Sequence, residues 1–237
     1  MTQYGVILIY SFRPFSFIPF ILFLVFAVIN VNANRIHNRK QAHIAKPFLM
    51  PLLLATYLMI LPDQSLTWSQ QWPVVMALLC HTIGDVLLMA GHKETPVFMG
   101  LGMLNFFMGH VFYILWFFRK GLVKNPYGLV SGTIVMIPLL IWLYGSLAKG
   151  DRKIAKVIFP YCFGLAVLAV VIAGTYSFSF FAESQLCLIG ISLFCFSDSL
   201  IGHELVGRRL FGNTTVMWTY ILAQFMLVSG IAAFQIV

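Results

Sequence analysis

Asp85 and Asp198 are the two residues of this 237-residue chain whose type and setting most plainly suggest chemistry. Of its seven acidic residues, Asp63, Glu94, Asp151, Glu183 and Glu204 fall in polar breaks or at the ends of apolar runs. Only Asp85 and Asp198 stand within such runs. An Asp at the centre of a membrane helix costs about 2.5–3.5 kcal/mol on insertion scales, so an intramembrane carboxyl is by default a functional group. Two carboxyls in an apolar setting can divide acid–base work between them. One, kept neutral by burial, donates a proton, and the other, ionised, stabilises a cation or helps water to add. The competing reading is structural, with each carboxyl tying helices together through hydrogen bonds.

The elements that must hold these groups follow from composition. Hydrophobic residues make up 60% of the chain and charged residues 9%, a balance that points to lipid rather than water as the main solvent. A bilayer core of about 30 Å needs roughly 20 apolar residues per helical crossing. Eight such spans are expected: Phe15 to Ala33, Pro47 to Leu61, Val74 to Ala90, Phe98 to Phe118, Tyr127 to Leu147, Val157 to Tyr176, Ser184 to Ile201 and Val216 to Val237. The runs are continuously apolar rather than alternating, which predicts helices and not barrel strands. The expected fold is an all-α membrane protein, an eight-transmembrane-helix bundle forming a single integral membrane domain over residues 1–237. The second span reads as short, with Pro47 and Pro51 in its first turns.

Charge orients the bundle. With the N-terminus outside, the inward loops and span ends carry eleven basic residues: Arg35, Arg39, Lys40, Lys46, Lys93, Lys149, Arg152, Lys153, Lys156, Arg208 and Arg209. The outward side carries four, Arg13, Arg119, Lys120 and Lys124. The positive-inside rule therefore predicts both termini outside. Spans three and seven run the same way across the bilayer, and each aspartate lies late in its span, so the two share a depth toward the cytoplasmic face. Lys46 begins span two at that face, Asn105 lies about two turns into span four, and Tyr220 and Gln224 stand one turn apart early in span eight. Polar groups from five spans are thus expected at one leaflet. His110 lies deeper, beside Gly109, and His81 shares the Asp85 face of its helix four residues earlier.

Other chemistries lack their residues. His203-Glu204-Leu205-Val206-Gly207 has glycine where a zincin needs its second histidine, and reads as a helix end. Gly190-Ile191-Ser192-Leu193-Phe194 lacks the closing glycine of a nucleophile elbow. Cys80, Cys162, Cys187 and Cys195 all lie in apolar spans without paired spacing, so neither a disulfide framework nor a zinc knuckle is indicated. The formal charge of +8 is spread over interhelical loops, and lipid headgroups suit it better than nucleic acid. MTQYGVILIY lacks the basic start of a signal peptide and is read as mature sequence.

Taken in order, Lys46-Pro47, Gly84-Asp85, Gly100, Gly109-His110 with Tyr113, Ser197-Asp198-Ser199, and Tyr220 with Gln224 resemble the YhhN-like family, which includes the mammalian lysoplasmalogenases. The resemblance implies an eight-helix membrane hydrolase. It would cleave the vinyl ether bond of lysoplasmalogen, releasing a fatty aldehyde and glycerophosphoethanolamine or glycerophosphocholine. It maps the catalytic pair onto Asp85 and Asp198. By type and depth, Lys46, Asn105, His110, Tyr113, Tyr220 and Gln224 are the candidate substrate-binding residues, with Asn105 orienting water and Tyr220 and Gln224 donating hydrogen bonds. A vinyl ether offers no carbonyl to attack, so the reaction starts with protonation of the alkenyl carbon and needs a neutral acid. Gly84, by allowing close ligand approach, inclines that role toward Asp85. Lys46 would hold the substrate phosphate, helped by Arg35 or Arg39. Neither a metal nor an organic cofactor is required. The partners expected are the lysophospholipid substrate and membrane lipids, with the protein in a bacterial inner membrane.

Three other readings stay open on residues alone. Paired intramembrane carboxyls also serve proton-coupled transporters. His81, Asp85, His110 and Asp198 are competent metal ligands, which would make a metal-dependent lipid hydrolase. A noncatalytic lipid-binding protein would tolerate Asp-to-Asn changes.

Overall fold

The computed structural model describes residues 17–90, 96–179 and 181–236. Phe15 and Ser16 of the first expected span, Val237, Arg13, Lys93 and Glu94 lie outside them. The described residues form eight long helices and no strand: α1 (Phe17–Arg35), α2 (Arg39–Ile60), α3 (Trp68–Ala90), α4 (Pro96–Arg119), α5 (Pro126–Ala148), α6 (Arg152–Ala173), α7 (Phe181–Leu205) and α8 (Asn213–Ile236). All eight are long and apolar enough to cross a membrane. Over the described residues the fold is an all-α, eight-helix membrane bundle.

Several helices run further than their apolar cores. α2 starts at Arg39, capped by the Asn38 side chain, which accepts a hydrogen bond from the Gln41 amide at 3.2 Å. Pro47 and Pro51 therefore sit inside the helix rather than in its first turns, correcting the expectation of a short span. Proline inside a membrane helix is tolerated where neighbouring helices compensate for the lost backbone bond. α3 likewise begins at Trp68 and contains Pro73. α6 has a strong start, because Asp151 accepts from the amides of Lys153 (2.8 Å) and Ile154 (3.1 Å). α7 ends at Leu205, so the His203-Glu204 pair does fall at a helix end.

Neighbours in sequence pack as antiparallel pairs, α1 with α2, α3 with α4, α5 with α6 and α7 with α8. Further contacts join α2 to α3, α4 to α6, α6 to α7, and both α1 and α2 to α8. The helices α2, α3, α4, α6, α7 and α8 thereby close a ring. α5 stands outside it, leaning mainly on α6, with Ile134, Ile141 and Trp142 each more than 60% exposed to what would be lipid. It reaches α7 through a hydrogen bond between Ser146 Oγ and His203 Nε2 at 2.9 Å.

α7 and α8 meet most closely, through glycine on both sides. A methyl group on Gly190 would lie 2.6 Å from the Leu227 nitrogen and 2.9 Å from the Ala223 oxygen. One on Gly230 would lie 2.8 Å from the Glu183 oxygen and 2.9 Å from the Cys187 nitrogen. Small residues let membrane helices gain backbone-to-backbone packing that larger ones forbid. Because backbone cannot swing aside as a side chain can, Gly190→Ala and Gly230→Ala should each destabilise the protein by about 1–3 kcal/mol. Thermal melts in detergent would read this, and unchanged melting of both variants would contradict the packing described.

Candidate functional site

The ends of the helices fall at two faces, and one of these carries the α1–α2, α5–α6 and α7–α8 turns with Arg35, Arg39, Lys40, Lys149, Arg152, Arg208 and Arg209. Lys46, Asp85, Tyr161, Asp198 and Tyr220 sit five to nine residues from the ends of their helices at this basic face. At 1.5 Å per residue that is a depth of about 8–14 Å. Their side chains line one cavity of about 120 Å³ within the six-helix ring. Apart from these groups its wall is apolar, with Met99, Met103 and Phe106 of α4 opposite Ile201 and Leu205 of α7.

The two carboxyls are held differently. Asp85 is 1% exposed and accepts an ion pair from Lys46 Nζ to its Oδ1 at 2.9 Å. Its Oδ2 accepts a hydrogen bond from the Tyr220 hydroxyl at 2.8 Å. The Lys46 ammonium also lies 5.6 Å from the centre of the Tyr220 ring, which adds cation–π attraction to the same corner. Asp198 is half-buried, and its Oδ2 accepts from the Tyr161 hydroxyl of α6. Among the described residues no cation pairs with Asp198. The two carboxyls are therefore unequally partnered: the Lys46 ammonium pairs directly with Asp85, whereas the direct hydrogen-bond donor to Asp198 is a neutral hydroxyl.

Behind this chamber, toward the opposite face, lies a second polar layer. Gln224 Nε2 donates to His81 Nδ1 at 2.9 Å, and Tyr113 Oη donates to Gln224 Oε1 at 3.3 Å. All three are buried. His81 stacks on Phe106 at 5.1 Å, and the His110 ring lies 5.3 Å from that of His81 and 5.5 Å from that of Tyr161. Gln224, Tyr113, His81 and His110 therefore underlie the chamber rather than line it. Gln224 bonds His81 and not a carboxylate.

Asn105 is not in the site. Its amide donates to the Leu101 carbonyl of its own helix at 2.8 Å, and its side chain does not line the cavity. Gly84 and Gly109 serve helix packing rather than ligand approach. A methyl on Gly84 would come within 2.6 Å of the Phe106 ring, and one on Gly109 would collide with His81. The glycine argument for Asp85 as the acid is thereby removed. Tyr161 is the residue that sequence reasoning missed. It sits nine residues into α6, at the level of Lys46 and Tyr220, each seven residues into its helix. That common depth was the available signal.

The cavity opens toward the basic face into a larger vestibule of about 680 Å³, with Lys46, Leu88, Met99, Ile201 and Leu205 shared between the two. Lys46, 17% exposed, stands at the junction. Among the described residues no three His, Cys, Asp or Glu side chains converge as a possible ligand set, so His81, Asp85, His110 and Asp198 do not form the donor cluster that a metal-dependent reading needs.

Fold and site together define a multi-pass helical membrane protein with two carboxyls in one apolar chamber. The chain belongs to the YhhN family, whose model matches residues 41–231. This stretch holds every residue of the chamber and begins after α1. No curated protein and no solved structure matches the chain.

Proposed function

We propose that this protein is an intramembrane hydrolase that cleaves the vinyl ether bond of lysoplasmalogens, with Asp198 as the acid and Asp85 as the anion. The observation that carries the reading is the unequal pairing of two carboxyls in one chamber: Lys46 binds Asp85, and Tyr161 binds Asp198. Vinyl ether hydrolysis needs this inequality, because two anions could not start it and two neutral acids could not stabilise its cation.

In the proposed sequence Tyr161 donates to Oδ2 of neutral Asp198, which leaves the acidic proton on Oδ1. That proton passes to the alkenyl carbon farther from oxygen, and the double-bond electrons form the new C–H bond. The carbon next to oxygen becomes part of an oxocarbenium ion, which the Asp85 carboxylate stabilises. Water adds to this carbon, losing a proton to a carboxylate, and gives a hemiacetal. The carboxyl that took the water's proton passes it to the ether oxygen, and the hemiacetal hydroxyl gives its own proton to Asp198 as the C–O bond to glycerol breaks, releasing a fatty aldehyde and the glycerophosphoalcohol. Asp198 leaves the cycle reprotonated, and the only reactant consumed besides lipid is water. The division of labour resembles that of paired carboxyls in glycoside hydrolysis.

Purified protein incubated with a panel of alkenyl, alkyl and acyl lysophospholipids, read by mass spectrometry, tests the reaction class. Fatty aldehyde should appear from the alkenyl lipids alone. Free fatty acid from the acyl lipids, without aldehyde, would replace this reading with ester hydrolysis.

Tyr161 acts here through Asp198. Tyr161→Phe removes one hydrogen bond from the carboxyl, a loss of about 0.5–1.5 kcal/mol in a typical case, and should lower kcat roughly 3- to 10-fold with little change in KM. A rise in KM at unchanged kcat would instead make Tyr161 a binding residue.

A further inference from the structure

We infer that the vestibule is a phosphodiester-binding site in which Arg39 and His43 of α2 face Arg209 of the α7–α8 turn, and that these residues, not Lys46, hold the headgroup phosphate of the lipid substrate. The inference rests on the proposed lysolipid chemistry for its ligand and on the geometry of the vestibule for its residues. Arg39, His43 and Lys46 are spaced by four and three residues on one helix, which puts them on a single face, and all three line the vestibule. Lys46 is already bonded to Asp85 at 2.9 Å. Arg209 enters from the other side, its Nη2 donating to Asn213 Oδ1 at 2.8 Å and its Nε to the Phe211 oxygen at 3.4 Å, so its guanidinium is oriented. One acid, Glu204, also lines the space, against the three cations Arg39, Lys46 and Arg209. Asn30 and Asn34 of α1 add neutral amides to the wall.

Covalent reach selects the same place. In a glycerol-based lysolipid only the three glycerol carbons and their two terminal oxygens separate the vinyl ether from phosphorus. With the ether between Asp85 and Asp198, the phosphate must lie just past Lys46, which is the mouth of the vestibule. The inner chamber of about 120 Å³, apolar apart from the groups around the two carboxyls, is too small to take the headgroup as well. Arginine forks match phosphate oxygens in geometry as well as charge.

The test compares wild type with the Arg39→Gln/Arg209→Gln double variant on two substrates sharing one vinyl ether, an alkenyl glycerophosphocholine and the phosphate-free alkenyl glycerol. Loss of charge-assisted bonds to phosphate should lower kcat/KM for the phospholipid about 10- to 100-fold, mainly through KM. Cleavage of the neutral lipid should change less than about twofold, and a charge control on the same membrane face, Lys153→Ala, should alter neither substrate. Equal losses on both substrates, or no loss on either, would overturn the assignment. A binding arm keeps it testable if no vinyl ether is cleaved. Calorimetry with glycerophosphocholine and, separately, inorganic phosphate should show the diester binding to wild type and not to the double variant. That result would keep the site while the proposed reaction failed. Binding of inorganic phosphate alone would assign the vestibule to free phosphate and overturn the headgroup reading, as would absence of any binding.

Discussion

Asp198→Asn should reduce aldehyde release about 10²- to 10⁴-fold, the range that a positioned general acid contributes. The substitution is nearly isosteric, and the amide oxygen can still accept from Tyr161, so the chamber should keep its shape. What disappears is the transferable proton. The loss should fall on kcat, since nothing that binds the headgroup has changed. Steady-state kinetics on protein shown to be folded by gel filtration in detergent is the measurement. If the variant retains more than half of wild-type turnover, Asp198 is not the acid. Asp85→Asn should also lose activity, but for a different reason: it removes the anion opposite the developing cation and leaves the Lys46 ammonium without its partner.

Lys46→Met carries the largest expected effect on stability. Asp85 is 1% exposed, so removing its cation leaves a buried carboxylate that must either stay unpaired or take up a proton. Breaking a buried pair by deleting one member costs about 3–5 kcal/mol. Methionine keeps most of the lysine's length and apolar stem, so lost packing is a small part of that cost. The double variant Lys46→Met/Asp85→Asn should recover most of the stability, because it removes the stranded charge, yet it should remain inactive. Thermal unfolding of the two single variants and the double variant completes the cycle. Additive losses would mean that the two residues do not act as a pair.

The same pair shows what could be read from residues alone. The eight spans were legible because lipid accepts little besides long apolar helices. The starts of α2 and α3 were not, because Arg39–Lys46 and Trp68–Pro73 are polar or proline-bearing turns beyond the apolar core. An apolar-run criterion stops where the helix itself does not. Asp85 and Asp198 stood out by type, and the direction of their helices gave a common depth. Tyr161 did not stand out, since tyrosine counts as apolar in a membrane span and its hydroxyl becomes informative only when a carboxyl is found beside it. Asn105 misled for the converse reason: a polar residue at the right depth can satisfy itself on its own helix. The lateral position of α5, outside the ring, also left little trace, because a helix facing lipid and a helix facing helices can be equally apolar.

At the face away from the vestibule, Tyr57 Oη donates to Gln71 Oε1 at 2.5 Å, Gln71 Nε2 to Ser65 O at 2.6 Å, and Gln235 Nε2 to Tyr57 Oη at 2.6 Å, knitting together α2, α3 and α8. At the same level, the fully buried rings of Trp116 and Phe117 pack against Phe234. Among the described residues these groups close the bundle at this end, as the floor of a well. A carrier would have to undo this floor on every cycle, whereas an enzyme can leave it shut. On the proposed reaction, the water-soluble product would occupy the vestibule that the next lipid's headgroup needs. Inhibition by that product should accordingly be competitive with substrate, and traffic at the rim, rather than bond breaking in the well, can set the pace at high turnover.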